Sequence, residues 1–349
     1  MMNKGERDYS IDFFRGIAVI SILLIHTVFW SGTGYTPAYS KTLALLIDVP
    51  VFIFISGMSF NFSNSILKSI KGFCKLWGKW LVYIILFFSI VFIINRDQFT
   101  FTNIFNSLFF NVQNVTALSA VKSSLWFLYM YFIVVLICNS IIIIYRKHYD
   151  NLDNFKYIVL ISLLFYIISK YNSAFIFLNS KIMLFNFIYL LGYYLYNFKM
   201  KNFITFICAF AVLLAIYMSF ILLMNYDFNK MQEYKFSFDL FYLMHSSFSI
   251  LLIFFFKDRI KVKKNNPLVI TGRNALMFYF CNGISTSLLY FVLPKITISK
   301  WYFKLAAMFG INLVMTTTFT LIVSIAHKYI IKLLGKIKLN LIECKEDNM

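Results

Sequence analysis

The sequence has few charged residues, and acidic residues are especially scarce. Only 13% of its 349 residues are charged, against roughly 25% in an average soluble domain. Hydrophobic residues make up 60% of the chain, and the mean hydropathy is +0.75. Because a soluble interior of this size cannot bury so much apolar surface, a soluble enzyme, a DNA-binding protein and a secreted disulfide scaffold are excluded. The composition predicts a polytopic membrane protein.

The five cysteines are scattered without the paired spacing of a metal or redox motif, so no metal site is predicted. The net charge of +19 would indicate nucleic acid in a soluble protein. In a membrane protein it indicates cationic loops beside an anionic leaflet. We therefore expect the lipid bilayer as a partner and no nucleic acid. The abundance of Phe, Ile, Lys and Asn is typical of an AT-rich genome, which favours a bacterial plasma membrane.

An all-α bundle of about ten transmembrane helices is predicted from the apolar stretches, since a span needs about 20 residues. Lys and Arg are enriched roughly two to one on the side of the N-terminus, which predicts that both termini are cytoplasmic. One transmembrane domain is expected over residues 1–335, with a short cytoplasmic tail over 336–349. Residues 101–112 are apolar on one side only and predict an interfacial helix. The predicted spans are 11–30, 42–62, 79–95, 124–145, 156–170, 182–197, 203–224, 237–256, 268–292 and 303–326.

Ionisable residues inside a span are costly, which makes them candidates for function. The first span holds Asp12, Arg15 and His26. Arg15 and His26 are eleven residues apart, close to a whole number of helical turns, so they share one face about 16 Å apart. Taken singly, Arg15 could extend to the lipid headgroups and His26 could lie at the opposite interface. Their shared face favours a joint role.

Four segments together carry a resemblance to a known family. They are RGIAVISILLIHT (15–27), VPVFIFISGMSF (49–60), LWFLYMYFI (125–133) and ITGRNALMFYFCNG (270–283). The chain resembles the acyltransferase-3 family of membrane acyltransferases, whose motifs occur in the same order. Two departures stand out. Asn282 occupies a position that is usually His in the family, and lysines replace the paired arginines after the second span.

The resemblance implies transfer of an acyl group, usually acetyl, from cytoplasmic acetyl-CoA to a hydroxyl of a cell-surface or capsular polysaccharide or its precursor. For this reaction we assign Arg15, Lys75 and Lys79 to the CoA phosphates or diphosphate, as charge-assisted contacts. Lysine binds phosphate as a point charge and lacks the bidentate fork of arginine. His26, with Arg15, would carry the catalysis. Its imidazole would act as the general base for the acceptor hydroxyl or as a transient acyl carrier.

Other polar and aromatic residues are candidates for the substrate. Asp48 would orient His26 or pair with Arg15. Trp126 is either an interfacial belt residue or a platform for the sugar, and Tyr129 could line the sugar's path. Asn282 can still hydrogen-bond a substrate. Ser56 and Gly57 are interpreted first as a helix-packing pair and second as lining residues. Tyr279, like Tyr129, could line the sugar's path. The intramembrane His245 is either hydrogen-bonded within the bundle or catalytic.

Two other functions stay open at the level of sequence. Ten spans with buried Arg and His would also suit a transporter or flippase for a glycan or a lipid-linked precursor, although no internal repeat is present. A non-catalytic family member could instead serve in a complex with other polysaccharide-assembly proteins, since the late His is missing.

Overall fold

The computed structural model describes residues 7–31, 34–63, 65–112, 114–149, 151–171 and 179–346, with side chains omitted at 66, 68, 69 and 334–346. These parts of the chain are helical and contain no β-strand, which confirms the predicted all-α class. The helices are α1 (Tyr9–Trp30), α2 (Ala38–Ala44), α3 (Val49–Ser59), α4 (Ile66–Ile94), α5 (Phe101–Leu108), α6 (Ser119–Ser124), α7 (Trp126–His148), α8 (Phe155–Tyr171), α9 (Ser180–Tyr196), α10 (Phe203–Leu223), α11 (Met231–Ser237), α12 (Leu240–Phe256), α13 (Pro267–Arg273), α14 (Ala275–Val292) and α15 (Trp301–Glu346).

Within the described residues, eight helices are long and apolar enough to cross a membrane, or nine if the bent pair α11–α12 forms one span. The remaining predicted span is α9, whose 17 residues extend about 26 Å, slightly less than the roughly 30 Å hydrocarbon layer. The number ten and the cytoplasmic termini therefore stay predictions. Helix α15 continues past residue 335 to Glu346, beyond the predicted start of the tail, and residues 347–349 lie outside the described part.

Helix α1 lies at the centre of the bundle and contacts α3, α13, α14 and α15. It crosses α13 so closely that a Cβ on Gly16 would lie 2.0 Å from the carbonyl oxygen of Leu268. A Cβ on Gly272 would lie 1.8 Å from the carbonyl oxygen of Asp12. Small residues that allow such close backbone approach are a common device of membrane helix packing. This crossing fixes the charged start of α1 against α13.

The predicted span 268–292 is broken into α13 and α14 at Arg273 and Asn274, which corrects the expectation of one continuous helix. The N–H of Asn274 turns back to the carbonyls of Thr271 and Gly272. Irregular backbone at membrane depth is tolerated where it lines a cavity. The break indeed forms part of a cavity wall described below.

The segment predicted as an interfacial helix instead runs back along α4. Trp77 and Trp80 of α4 donate their indole N–H groups to the carbonyls of Leu108 and Ser107, at 3.2 and 3.0 Å. Trp77 lies 17 residues before the end of α4 at Ile94, which corresponds to about 25 Å. Helix α5 therefore packs against the side of α4 rather than lying flat at its end. Trp80 is fully buried in the core.

Helices α11 and α12 meet at a bend of 104°. Phe238, at the bend, has a left-handed backbone (φ 53°, ψ 49°), a conformation that costs a non-glycine residue about 1 kcal/mol or more. Its ring packs on Trp126 and Phe185, and its carbonyl accepts a hydrogen bond from Tyr166 at 2.7 Å. These contacts hold α11 against the bundle.

Candidate active site

Three arginines surround the carboxylate of Asp12 at the N-terminal end of α1. Its carboxylate, in a residue only 3% exposed, accepts hydrogen bonds from Arg7 Nε at 2.5 Å and from Arg15 Nη1 at 3.1 Å. Nε of Arg273 lies 3.6 Å from the same carboxylate. The hydrogen bond to Asp12 raises the pKa of Arg7 above its ordinary value, so Arg7 stays charged. Three cations around one carboxylate leave a net positive charge that favours an anionic ligand.

A cavity of about 400 Å³ opens beside this cluster. Arg15 from α1 and Arg273 from the α13–α14 break line it, together with Lys79 from α4. The structure thus brings two predicted donor-binding residues, Arg15 and Lys79, to one cavity. Its other polar lining residues include Ser56, Ser59 and Tyr131.

The third predicted donor-binding residue, Lys75, lines a second cavity of about 890 Å³ between α4, α13, α14 and α15. Lys79 and Asn274 line both cavities and so lie between them. The structure therefore does not place Lys75 beside Arg15. The side chain of Lys68, another lysine of this stretch, lies outside the described part of the chain.

His26 is buried deeper in the bundle, at 9% exposure. Asn282 of α14 donates its amide Nδ2–H to Nδ1 of His26, at 2.5 Å. The ring of Tyr279 lies near the imidazole, with 6.2 Å between centroids, and the Tyr279 hydroxyl donates to the carbonyl of Ser124. The residue that departs from the family pattern is therefore the direct partner of the predicted catalytic histidine.

The amide of Asn282 is oriented by its own partners. Its Oδ1 accepts hydrogen bonds from the Thr286 hydroxyl at 2.9 Å and from Nδ2 of Asn312 at 3.2 Å. With Nδ2 directed at Nδ1, the neutral imidazole of His26 carries its proton on Nε2. Asn312 Oδ1 in turn accepts from Ser285 at 2.6 Å. Most partners of the two amides are hydroxyls, which both donate and accept, but Asn312 Nδ2 also donates to the carbonyl of Leu23 at 3.4 Å. Presenting the oxygen of Asn282 to His26 would require both amides to turn over and would cost that hydrogen bond.

Asp48 has partners that the sequence did not predict. Its Oδ2 accepts a hydrogen bond from the Tyr242 hydroxyl at 2.6 Å and lies 2.8 Å from Nζ of Lys235. The expected pairing of Asp48 with Arg15 is corrected by these contacts, because Arg15 pairs with Asp12. Lys235 and Asp48 are both buried, so they form an ion pair inside the bundle.

The two aromatic substrate candidates differ in placement. Trp126 is half-buried and packs on Phe236 and Phe238 at 6.3 and 5.8 Å between centroids, where it holds the α11–α12 bend. Tyr129 is 65% exposed on the surface of the bundle. The neighbouring Tyr131 lines the smaller cavity instead. The structure thus gives Trp126 a packing role and does not bring Tyr129 to His26.

His245 is held on both sides within the bundle. Its Nδ1 meets the hydroxyl of Tyr217 at 3.1 Å, and its Nε2 meets the carbonyl of Thr42 at 3.0 Å. With both ring nitrogens engaged and 2% exposure, this histidine has a structural role.

Sequence reasoning gave no role to three residues that the structure places at the site. Arg273 was visible as the basic residue of the late Gly-Arg-Asn element. Asn312 was visible as a lone amide in an apolar helix. Lys235 gave no signal, because it follows a short polar stretch and was counted as a loop lysine. Each of the three touches a residue that the sequence did single out: Asp12, Asn282 and Asp48 respectively.

The arrangement has the parts that acyl transfer requires. A cationic cavity suits a phosphorylated donor, and an imidazole lies farther along the same helix. Among the described residues, no group of three or more His, Cys, Asp or Glu side chains is placed to hold a metal ion.

Comparison with protein families supplies independent support. The model of the family described as acyltransferase domain, type 3, matches residues 8–331. The comparisons with curated proteins and with solved structures each return no match. The family match covers every helix from α1 to α14 and most of α15, including Arg15, His26, Arg273 and Asn282. The chain therefore belongs to the acyltransferase-3 family of membrane acyltransferases.

Proposed function

We propose that this protein transfers an acetyl group from acetyl-CoA to a hydroxyl of a cell-surface polysaccharide or its precursor. One observation carries the proposal: Arg15, Lys79 and Arg273 converge on one cavity, while His26 lies on the same helix and face as Arg15. The family relationship supports acyl transfer by a membrane protein. The donor, acceptor and residue roles belong to the proposal.

The CoA phosphates bind at the end of the bundle where α1 begins. Guanidinium groups form paired, charge-assisted hydrogen bonds with phosphate oxygens, and both Arg15 and Arg273 line the cavity there. If the N-terminus is cytoplasmic, as the charge bias predicts, this end faces the compartment that holds acetyl-CoA. Lys79 adds a point charge on the opposite wall.

The thioester then lies deeper than the phosphates. Arg15 and His26 are separated by about 16 Å along α1, a distance that the extended pantetheine arm of CoA is suited to bridge. The arm would pass Ser56, Tyr131 and Tyr189, which also line the cavity. The phosphate cluster thus positions the acyl group near the imidazole rather than taking part in the chemistry itself.

His26 accepts the proton of the acceptor hydroxyl. The hydroxyl oxygen attacks the thioester carbonyl, a C–O bond forms, the C–S bond breaks, and the proton passes through Nε2 to the CoA thiolate. Nε2 can accept this proton only when Nδ1 carries the ring proton, which requires Asn282 to present Oδ1. Turning over the amides of Asn282 and Asn312 together would supply that state, at the cost of the hydrogen bond from Asn312 Nδ2 to the Leu23 carbonyl. A transient acyl group on Nε2 would require the same tautomer.

Inside-out vesicles that contain the protein test this function. They are given acetyl-CoA labelled in the acetyl group and extracted cell-surface glycan, and label in the glycan is counted. We expect transfer by the wild type and a loss of about 10³-fold in His26→Gln, in line with the usual weight of a general base. His245→Gln is the matched control, because it removes a buried histidine that has structural contacts only.

Each outcome has a distinct meaning. Transfer in both the wild type and His26→Gln removes His26 from the chemistry. No transfer by wild-type vesicles that still bind acetyl-CoA contradicts the proposed reaction and favours a non-catalytic or transport role. Loss in His245→Gln equal to that in His26→Gln indicates general damage to the bundle rather than a catalytic role.

A further inference from the structure

We infer that the second cavity is a binding site for a membrane lipid with an anionic phosphate headgroup, beside the acetyl-CoA cavity, with which it shares Lys79 and Asn274. It is the larger of the two cavities described above, at about 890 Å³. Its lining includes three lysine amino groups, and eight of the other fourteen lining residues are apolar.

The charged end carries three lysines and no acidic neighbour. Lys75 and Lys79 are one turn apart on α4, and Lys328 reaches the same space from α15. All three lysines line this one cavity. None of the lining residues is acidic, and within the described residues none of the three amines has a carboxylate within 4 Å. Three amines held together without a counter-ion favour an anion.

The rest of the cavity suits a hydrocarbon chain. Along α15 it extends from Lys328 to Leu313, fifteen residues or about 22 Å, most of the roughly 30 Å hydrocarbon layer. Ile20 and Phe278 form its inner wall. At its rim, Ile270, Leu321 and Ile331 are 48%, 56% and 53% exposed, on the surface that faces the bilayer.

Charge and shape together identify the occupant. Basic pockets between transmembrane helices, at the level of the cytoplasmic headgroups, bind anionic lipids. A soluble anion would use the lysines but leave the long apolar wall uncovered, at a cost in free energy that grows with its area. CoA is served by the neighbouring cavity, which holds both arginines. A phosphate-headed lipid satisfies both parts of the second cavity at once.

The site is tested by native mass spectrometry of the full chain in detergent, titrated with phosphatidylglycerol or with phosphatidylcholine. We expect the wild type to bind phosphatidylglycerol at least tenfold more tightly than phosphatidylcholine. The double variant Lys75→Gln/Lys328→Gln should lose that preference, because each lysine near an anionic lipid contributes to the electrostatic attraction. Lys147→Gln/Lys156→Gln removes two exposed lysines elsewhere and should retain the preference.

A second variant tests the apolar part without changing charge. Ser324, half-buried, lines the cavity, whereas Thr318 on the same helix is exposed and does not. Ser324→Trp should weaken phosphatidylglycerol binding at least tenfold, and Thr318→Trp should not. Size-exclusion profiles confirm that each variant is folded.

Three results would overturn the inference. One is equal binding of the two lipids by the wild type. Another is an unchanged preference in both Lys75→Gln/Lys328→Gln and Ser324→Trp. The last is displacement of bound phosphatidylglycerol by inorganic phosphate or by CoA at matched concentration, which would assign the cavity to a soluble anion or to the acyl donor. None of these measurements depends on acyl transfer, so a failure of the proposed reaction leaves the lipid site standing.

Discussion

Asn282 and His26 meet across α14 and α1, with 2.5 Å between the Asn282 amide nitrogen and Nδ1 of the imidazole. The contact joins the predicted catalytic histidine to the residue at which the sequence departs from the family pattern. An amide can donate to Nδ1 or, after turning over, accept from it. In the structure the amide donates to Nδ1, which leaves the ring proton on Nε2, whereas the reversed amide would place it on Nδ1.

Substitutions at Asn282 test the role of this contact. Asn282→Leu should lower kcat for acetyl transfer about 100-fold, because the ring then lacks a partner that fixes its tautomer and orientation. Asn282→Asp should stay within about tenfold of the wild type, since a carboxylate can only accept from Nδ1 and so leaves Nε2 free to take a proton. The measurement is label transfer to glycan at saturating acetyl-CoA. Wild-type activity in Asn282→Leu would show that His26 needs no such partner.

The arginines beside Asp12 are expected to act on donor binding. Arg15→Gln and Arg273→Gln should each raise KM for acetyl-CoA about tenfold or more, because a hydrogen bond to a charged group contributes about 1.5–3 kcal/mol. kcat should fall less than kcat/KM, since neither residue reaches the thioester.

Arg259→Gln is the control for these two variants. Its guanidinium donates to the carbonyls of Met200 and Lys201, away from the cavity, so KM should remain within about twofold of the wild type. A fall in kcat with unchanged KM in Arg273→Gln would contradict the assignment of Arg273 to the donor.

The buried pair of Lys235 and Asp48 should behave as a unit. Lys235→Met or Asp48→Asn alone leaves one buried charge without its partner, which typically destabilises a protein by 3–5 kcal/mol. The double variant should recover most of that loss, because no buried charge remains. Thermal unfolding in detergent measures all three.

Lys199 provides the comparison for an exposed pair. It lies 3.8 Å from Asp258 and is 72% exposed, so Lys199→Gln should change stability by less than about 1 kcal/mol. Additive losses in the double variant of Lys235 and Asp48 would mean that the two side chains do not depend on each other.

The first helix illustrates what sequence alone can provide. The spacing of Arg15 and His26 was sufficient to place them on one face, because an α-helix has a fixed period. The apolar lengths likewise predicted most spans. Residues brought together from distant helices were not accessible in the same way: Lys235 is 187 positions from Asp48 along the chain, and no local pattern marks the 104° bend that brings it there.

The predicted helix boundaries are wrong where backbone carbonyls form hydrogen bonds outside the regular helical pattern. The break at Arg273–Asn274 and the return of α5 along α4 both depend on such contacts, made by carbonyls with the Asn274 N–H and with Trp80. Hydropathy measures apolar length and is insensitive to these hydrogen bonds. A break inside an apolar stretch was therefore read as continuous helix, and a half-apolar stretch as interfacial.

The crossing of α3 and α9 gives the sharpest test of the fold. A Cβ on Gly57 would lie 2.0 Å from the carbonyl oxygen of Tyr189, and a Cβ on Gly192 would lie 2.1 Å from that of Phe54. The packing role predicted for Gly57 is thus confirmed. Gly57→Ala should destabilise the protein by about 3 kcal/mol, because the backbones must separate and the packed side chains shift with them.

Gly310→Ala is the matched control for Gly57→Ala. Gly310 also lies within a helix, but nothing is within 4 Å of its Cβ position, so alanine should leave stability unchanged or increase it by up to about 1 kcal/mol through helix propensity. Thermal unfolding and the monodisperse fraction on size exclusion compare the two variants.

Because the α3–α9 crossing positions Ser56 and Tyr189 on the wall of the smaller cavity, any Gly57→Ala protein that does fold should also bind acetyl-CoA more weakly. Wild-type stability in Gly57→Ala would mean that α3 and α9 do not cross at this distance.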